Sequence, residues 1–247
     1  MIRLHRPAVP AALQDTLETL TDLIGAKATP RSRVTEARRL WKGRRAVHAD
    51  LRVELARFAA GHDRCMYCGD NEGTDIDHYQ PLALAPLLAF TWLNHLLACS
   101  RCNSHFKRDL FPVDDEGVPL ILDPTRDDPF DHLVLSLSVG RYAPLTERGA
   151  TTIAVCGLNR DTLTRGRQTA YDTMTLVLAQ WGEAVAVSDA TTMNMVVRTI
   201  REQPFADVCQ AMLRYANAPG AVDVFADRPH LLPLLRSTGL RSTVLSA

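Results

Sequence analysis

The apolar residues of the first sixty positions recur at spacings typical of amphipathic helices. Between residues 10 and 25, leucine or isoleucine returns every three or four positions, Pro10 suits a first helical turn and Gly25 can end the helix. A break follows at residues 29–30. A second apolar helical face is then formed by Leu51, Leu55 and Phe58. The start of the chain is therefore predicted to be helical.

Residues 31–45 lie between these two patterns and are strongly basic. They contain seven basic residues and one acidic residue, a net charge of +6, although the whole chain has 28 basic and 28 acidic residues. Such a run is either a solvated helix face or a surface that contacts the phosphate backbone of a nucleic acid. The candidate phosphate contacts are Arg38, Arg39, Arg44 and Arg45.

A short strand is predicted over residues 74–78, where a β-prone run is stopped by Pro81. Residues 81–98 follow with nine large apolar side chains and no charged one. A stretch of this length raises the question of a membrane span, but two prolines, Asn94 and His95 interrupt it. We predict a buried helical segment and no membrane association.

Beyond residue 112 the pattern predicts two strands and then helices. The two strands, over residues 118–124 and 132–138, are joined by an acidic stretch at 127–129, for which a turn is favoured over a second metal site. A helix is predicted after residue 160 up to about Trp181. Further helices are predicted at about residues 190–202, 205–217 and 228–238.

Two Cys-x-x-Cys pairs flank a 30-residue insert: Cys65 with Cys68, and Cys99 with Cys102. One such pair could be redox-active or merely buried, but four thiolates in tetrahedral array are the ligand set of structural zinc. We therefore predict one structural Zn²⁺ per chain. A zinc-binding free energy of about 10–16 kcal/mol cannot by itself offset the ordering of the insert at about 1–2 kcal/mol per residue. The insert must therefore bury apolar surface of its own.

Polar residues with catalytic potential lie inside and just after this insert. Asp77 and His78 end the predicted strand, and Lys107 lies four residues after Asn103, a spacing that places both on one helical face. Neighbouring strand residues point to opposite faces, so Asp77 and His78 share one site only if the strand twists or ends there. A neutral histidine can accept a proton, carboxylate and amide oxygens suit Mg²⁺, and a lysine can hold a phosphate. These groups could hydrolyse a phosphodiester, whereas the alternative is an inactive zinc module in which they are ordinary turn and cap residues.

These residues together resemble the HNH endonucleases, whose core is a ββα-metal unit of two strands and a helix around one divalent cation. The resemblance implies that His78 is the general base, that Asp77 and Asn103 bind a catalytic Mg²⁺ or Mn²⁺, and that Asn94 orients His78. Lys107 is included in the site, and Asn103 stands where the family name has its last histidine. Replacing His95 or His105 with alanine is expected to change cleavage by no more than a few-fold, and His105 is expected to face away from the site if Asn103 faces it.

A wider pattern is similar to one HNH subgroup, the nuclease subunit of Septu-type and retron-associated anti-phage systems. The similarity covers roughly residues 35–170 and includes Trp92-Leu-Asn94, Leu122-Asp-Pro124 and Gly157-Leu-Asn-Arg160. It implies a DNA-cleaving defence effector, with RNA as an alternative substrate, that works with an ATPase. The chain has no Gly-x-x-x-x-Gly-Lys-[Ser/Thr] phosphate loop, so the ATPase would be another chain. The alternatives are a stand-alone restriction-type nuclease and a non-catalytic zinc-stabilised DNA- or protein-binding module.

Composition and domain order complete the sequence-based expectations. The hydrophobic content of 46% and the charged content of 23% are typical of a globular protein, and without a signal-peptide pattern we expect a cytoplasmic protein. The predicted fold class is α+β, mainly helical, with a zinc-stapled ββα-metal HNH core embedded in helices and a short strand pair after it. The predicted regions are 1–62 (helical, with the basic run), 63–112 (zinc-bound nuclease core), 113–182 (strand pair and helix packing on the core) and 183–247 (C-terminal helical region).

Overall fold

The computed structural model describes residues 1–245 and is mainly helical, with two small antiparallel strand pairs, as the sequence predicts. The strands are β1 (Asp75–His78), β2 (His95–Ala98), β3 (Leu133–Ser136) and β4 (Arg141–Pro144). The helices are α1 (Ala11–Gly25), α2 (Pro30–Gly43), α3 (Arg45–Ala56), α4 (Glu147–Val155), α5 (Asp161–Ala186), α6 (Ala190–Glu202), α7 (Ala206–Tyr215), α8 (Ala221–Val224), α9 (Leu231–Arg236) and α10 (Thr238–Leu245).

The N-terminal helices follow the sequence pattern closely. Helix α1 begins directly after Pro10 and buries its four periodic apolar side chains. Helix α2 begins with a proline in its first turn, and the Thr29 hydroxyl caps it by accepting a hydrogen bond from the Ser32 amide. The chain breaks again at Arg44, so the basic run is divided between α2 and the start of α3.

Strands β1 and β2 form the first pair, with Asp75 opposite Ala98 and His78 opposite His95, and they supply the two strands that the HNH resemblance implies. The expectation of a helical segment over residues 81–98 is wrong. This stretch contains two single 3₁₀ turns, Pro86–Leu88 and Trp92–Asn94, and then β2. Prolines at 81 and 86 lack the amide donors that a helix needs, and the amides of β2 are used in pairing with β1.

The second strand pair is β3 with β4, not the predicted pairing of residues 118–124 with 132–138. Two prolines interrupt residues 118–124, and the amides of Leu120 and Leu122 donate instead to the Pro112 carbonyl and the Thr152 hydroxyl. The acidic stretch forms a turn as expected, because Asp128 accepts a hydrogen bond from the Phe130 amide and caps a short 3₁₀ helix.

The predicted C-terminal helices are present as α5, α6, α7 and α9, with the short α4, α8 and α10 in addition. Buried apolar side chains from every part of residues 1–240 belong to one continuous core. Within residues 1–245, no helix combines the length and the apolar character that crossing a bilayer requires.

A buried ion pair joins α5 to α7. Arg167 and Asp207 are 0% and 1% exposed, and the Arg167 Nε lies 3.0 Å from the Asp207 carboxylate. The Tyr142 hydroxyl of β4 donates to the same carboxylate oxygen. Charges this deeply buried are tolerated because each has a partner of opposite charge or a strong hydrogen bond.

We predict that Asp207→Asn lowers the free energy of unfolding by about 3–5 kcal/mol, because Arg167 is then left buried without its counter-charge. Urea denaturation followed by circular dichroism measures the loss. The control is Asp172→Asn, because Asp172 is 66% exposed and is one of two acidic partners of Arg228. Its effect should stay below about 1 kcal/mol, and equal losses in the two variants would contradict the prediction.

Candidate functional site

The four cysteines of the two Cys-x-x-Cys pairs meet in space. Cys65, Cys68, Cys99 and Cys102 are all buried, and their four sulfur atoms lie within 4.8 Å of one another. A tetrahedron with Zn–S bonds of about 2.3 Å has edges of about 3.8 Å, and the Cys68 and Cys99 sulfurs are 3.9 Å apart. The number, type and spacing of these donors fit a structural zinc.

Local backbone structure explains how the two pairs come together. The first pair lies on a tight turn, in which the Gly69 amide donates to the Cys65 carbonyl and Gly69 has a positive φ of 67°. The Met66 amide between the two cysteines donates to the Leu97 carbonyl, which attaches this turn to β2. Strand β2 ends at Ala98, so Cys99 follows from it directly.

A short helix, Arg101–Lys107, carries Cys102, the last of the four cysteines, and has π-helical hydrogen bonding. This helix packs against one face of β1, the face that carries Asp75 and Asp77, because alternate strand residues share a face. Asn103 and Lys107 both contact this face, as their spacing predicts. His105 is exposed and points elsewhere, with its Nδ1 near the Ser100 carbonyl.

Asp77 is buried in a polar cluster beneath the strand. One carboxylate oxygen accepts a hydrogen bond from the Tyr67 hydroxyl at 2.6 Å, and the other lies 3.1 Å from the Lys107 Nζ. Burial raises the pKa of the Asp77 carboxyl, while Lys107 and Tyr67 act in the opposite direction. Each carboxylate oxygen has two lone pairs, so each oxygen keeps one lone pair that the contacts with Tyr67 and Lys107 do not use.

The sequence suggests that Lys107 holds a phosphate, but the structure places this side chain in the interior. Its side chain is 0% exposed, and its ammonium group also donates to the His78 carbonyl at 2.7 Å. Lys107 therefore positions the Asp77–His78 end of β1 and does not face a phosphate at the surface.

Asp75 is a site residue that the sequence reasoning missed. Its Oδ2 accepts hydrogen bonds from the Asn103 side-chain amide at 3.2 Å and from the Ser104 hydroxyl at 3.3 Å. Asp75 and Asn103 are half-buried, so this group reaches the surface of the protein. The period-two spacing of Asp75 and Asp77 is the sequence signal that could have identified it.

The His78 ring lies on the opposite face of β1 from these carboxylates. Its Nε2 is 3.0 Å from the Ala89 carbonyl. Because a carbonyl can only accept, Nε2 carries the proton of the neutral ring and Nδ1 is left as an acceptor. Nδ1 has no hydrogen-bond partner among residues 1–245. Burial lowers the pKa of His78 to about 4, so the ring is neutral at neutral pH.

Asn94 supports the loop that follows His78. Its side-chain oxygen accepts from the Gln80 amide, and its side-chain amide donates to the Gln80 and Leu88 carbonyls. Asn94 therefore fixes the backbone on either side of this loop, and the direct partner of the His78 ring is the Ala89 carbonyl. A role in orienting His78 would be exerted through this loop.

Helix α2 contributes an aromatic wall to the site. The Trp41 ring centroid lies 4.3 Å from that of His78 and 4.2 Å from that of His48. His95 also packs here, completely buried, with its Nε2 3.0 Å from the same Ala89 carbonyl. β-Pairing places His95 directly opposite His78, and its expected minor effect on cleavage stays a prediction.

The basic run extends from the outer side of α2 into the start of α3. Arg38, Arg44 and Arg45 are exposed and have no ion pair within the described residues. Arg39 is also exposed, but its guanidinium makes a two-point ion pair with Glu36. Helix α2 thus presents Trp41 to the site and positive charge to solvent.

The fold and the site define a strand pair and a short helix held by a four-cysteine cluster, with polar side chains from the strand and the helix in contact. The chain is similar to the Septu protein PtuB of Bacillus mycoides (strain KBAB4), with 26% identity over 197 residues. The similarity covers 68% of this chain and 66% of that protein, slightly less than two thirds of its length. This similarity confirms the Septu resemblance seen in the sequence. No protein-family model matches the chain.

We predict that the purified protein contains one zinc per chain and that Cys65→Ser loses this zinc together with thermal stability, because metal binding and folding are coupled. Elemental analysis and thermal melting measure the two effects. Cys209→Ser is the matched control, since Cys209 is a buried cysteine outside the cluster. A zinc-free wild-type protein, or unchanged melting of Cys65→Ser, would contradict the prediction.

Proposed function

We propose that this protein is a metal-dependent endonuclease of the HNH type that hydrolyses DNA phosphodiester bonds as the effector of an anti-phage defence system. The observation that carries the proposal is His78, whose Nε2 is held by the Ala89 carbonyl so that Nδ1 is left as a proton acceptor. The similarity to a Septu protein supports the defence role.

His78 would act as the general base. A neutral imidazole with a partner-free nitrogen can take a proton from a water molecule that attacks phosphorus. The Ala89 carbonyl selects the reactive tautomer, and Trp41 limits rotation of the ring. Because His78 is the last residue of β1, a phosphate lying across this end of the strand would approach both strand faces.

The cation would be held on the other face of β1. The Asn103 amide nitrogen is used by Asp75, which leaves the Asn103 side-chain oxygen as a possible ligand. Asp77 and Asn103 are the ligands that the HNH resemblance implies, and the contact between Asp75 and Asn103 adds Asp75 to this set. Carboxylate and amide oxygens suit Mg²⁺ or Mn²⁺, which would stabilise negative charge on the phosphate and the leaving oxygen.

Nucleic acid would approach over α2. Arg38 offers positive charge on the exposed side of α2, whose inner side holds His78, and the exposed Arg44 and Arg45 add charge where α2 meets α3. Such contacts are made to the phosphate backbone and are independent of base sequence. Arg39 would contribute less, because Glu36 already compensates its charge.

The proposal includes an ATPase partner, which the Septu resemblance implies. The decisive experiment is a plasmid-cleavage assay with Mg²⁺ or Mn²⁺, with and without EDTA, and with and without the proposed ATPase partner. We expect cation-dependent cleavage that is strongest with the partner. DNA binding without cleavage in every arm would instead establish a non-catalytic binding module, and full cleavage without the partner would establish a stand-alone nuclease.

We predict that His78→Gln lowers the cleavage rate constant by about 10²–10⁴-fold, because the amide keeps much of the ring's volume but cannot accept the proton. Single-turnover cleavage measures this effect, and DNA affinity and melting temperature should change little. His105→Gln is the matched control, since His105 is exposed and has no contact with β1. Loss of cleavage in His105→Gln, with His78→Gln active, would overturn the assignment.

We predict that Asp75→Asn and Asp77→Asn both weaken the response to Mn²⁺ but differ in stability. Asp75 is half-buried, so its replacement should leave the melting temperature nearly unchanged and excess Mn²⁺ should restore part of the rate. Asp77→Asn should in addition cost about 3–5 kcal/mol in unfolding free energy, because it removes the counter-charge of buried Lys107. A wild-type Mn²⁺ dependence in Asp75→Asn would remove Asp75 from the ligand set.

We predict that replacing Arg38, Arg44 and Arg45 with glutamine flattens the salt dependence of DNA binding. Each lost phosphate contact should reduce the slope of log affinity against log salt by about 0.9. Fluorescence anisotropy over a salt series measures this slope. The control replaces Arg141, Arg165 and Arg198, which are equally exposed but lie elsewhere on the chain, and its slope should match the wild type.

A further inference from the structure

Arg160 contacts the cysteine cluster from outside the two Cys-x-x-Cys pairs. Its Nη1 donates a hydrogen bond to the Cys102 sulfur at 3.4 Å. Within residues 1–245, no other arginine or lysine side chain donates to one of the four sulfurs. Arg160 lies 58 residues after Cys102 in the sequence, so its position depends on tertiary structure.

The segment that carries Arg160 is packed tightly against the helix that carries Cys102. Gly157 has a positive φ of 58°, and a Cβ atom at this position would lie 2.4 Å from the Phe106 ring. The Arg160 guanidinium lies 5.6 Å from the centroid of the same ring. Nη1 also donates to the Gly157 carbonyl at 3.1 Å, so the side chain is held by its own turn. Arg160 then leads directly into α5.

The charge of a four-cysteine zinc site explains why a cation belongs here. Four thiolates and one Zn²⁺ carry a net charge of −2, and this cluster is buried. A buried charge needs compensation by opposite charge or by hydrogen bonds. Residues that hydrogen-bond to metal ligands typically change metal affinity by about 10–100-fold when they are mutated.

We propose that Arg160 is a positioning residue of the zinc site: its guanidinium compensates the thiolate charge and fixes the Cys102 sulfur, which couples zinc binding to the docking of α5. The proposal concerns zinc binding and is independent of nuclease activity. A second contact acts in the same region, since the Phe205 amide donates to the Gly69 carbonyl in the turn of the first cysteine pair. The C-terminal helices are thus attached to the cluster at both pairs.

The test measures zinc affinity by competition with a chromogenic chelator on the holoprotein. We expect Arg160→Gln to weaken zinc binding by about 10–100-fold. Arg160→Lys keeps the positive charge but lacks the planar guanidinium with its fixed N–H donors, so it should weaken zinc binding less. Arg148→Gln is the matched control. Arg148 is a similarly half-buried arginine that pairs with Asp127 and has no contact with the cluster, and its replacement should leave zinc affinity unchanged.

A spectroscopic measurement separates a specific contact from a general loss of stability. An N–H donor lowers the energy of sulfur lone pairs, so its removal should shift the sulfur-to-metal charge-transfer band of the Co²⁺-substituted protein to longer wavelength. We expect this shift in Arg160→Gln, a smaller one in Arg160→Lys and none in Arg148→Gln. If Arg160→Gln fails to fold, the Arg160→Lys spectrum decides. An unshifted band with wild-type zinc affinity, or equal affinity losses in Arg148→Gln, would overturn the proposal.

Discussion

The rest of this structure depends on the meeting of two cysteine pairs that are separated by thirty residues. Their convergence closes the β1–β2 pair at one end and fixes where the Arg101–Lys107 helix begins. The energetic requirement that the insert bury its own apolar surface is met by residues such as Ala89, Phe90 and Trp92, which are buried in the common core. The cysteine cluster and the core therefore hold the same segment.

This arrangement positions the polar residues of β1 through contacts on two sides. On one side, Tyr67 from the first cysteine pair and Lys107 from the short helix hold Asp77. On the other side, the Ala89 carbonyl and Trp41 hold the His78 ring. A strand would ordinarily separate two adjacent side chains, and here that separation gives each a distinct environment. The carboxylate is paired with a cation, whereas the imidazole is desolvated and neutral.

The C-terminal helices are part of the same structural unit as the cluster. Arg160 reaches Cys102, the Phe205 amide reaches Gly69, and the Arg167–Asp207 pair joins the helices that carry these contacts. Residues after 183, for which the sequence offered no chemistry, thus contribute to the support of the cysteine cluster. Helix α2 has a comparable double role, because its apolar side packs on the site and its basic side faces solvent.

The sequence by itself determined those features that depend on local pattern. Apolar periodicity predicted α1 and the later helices, paired cysteine spacing predicted the four-sulfur cluster, and the short β-prone run predicted β1. The Septu resemblance was also visible in these residues. The helical periodicity and each Cys-x-x-Cys pair lie within a short stretch of chain, where spacing alone fixes the local geometry.

Only the tertiary structure decided the features that depend on which distant segments meet. A charge-free stretch can be a buried helix or a buried strand, and pairing with β1 made its last four residues, His95–Ala98, a strand. The same pairing placed His95 beside His78, and helix packing placed Asp75 against Asn103 and buried Lys107 against Asp77. The contact of Arg160 with Cys102 spans 58 residues. Such contacts arise from the packing of the whole core, which no local spacing in the sequence encodes.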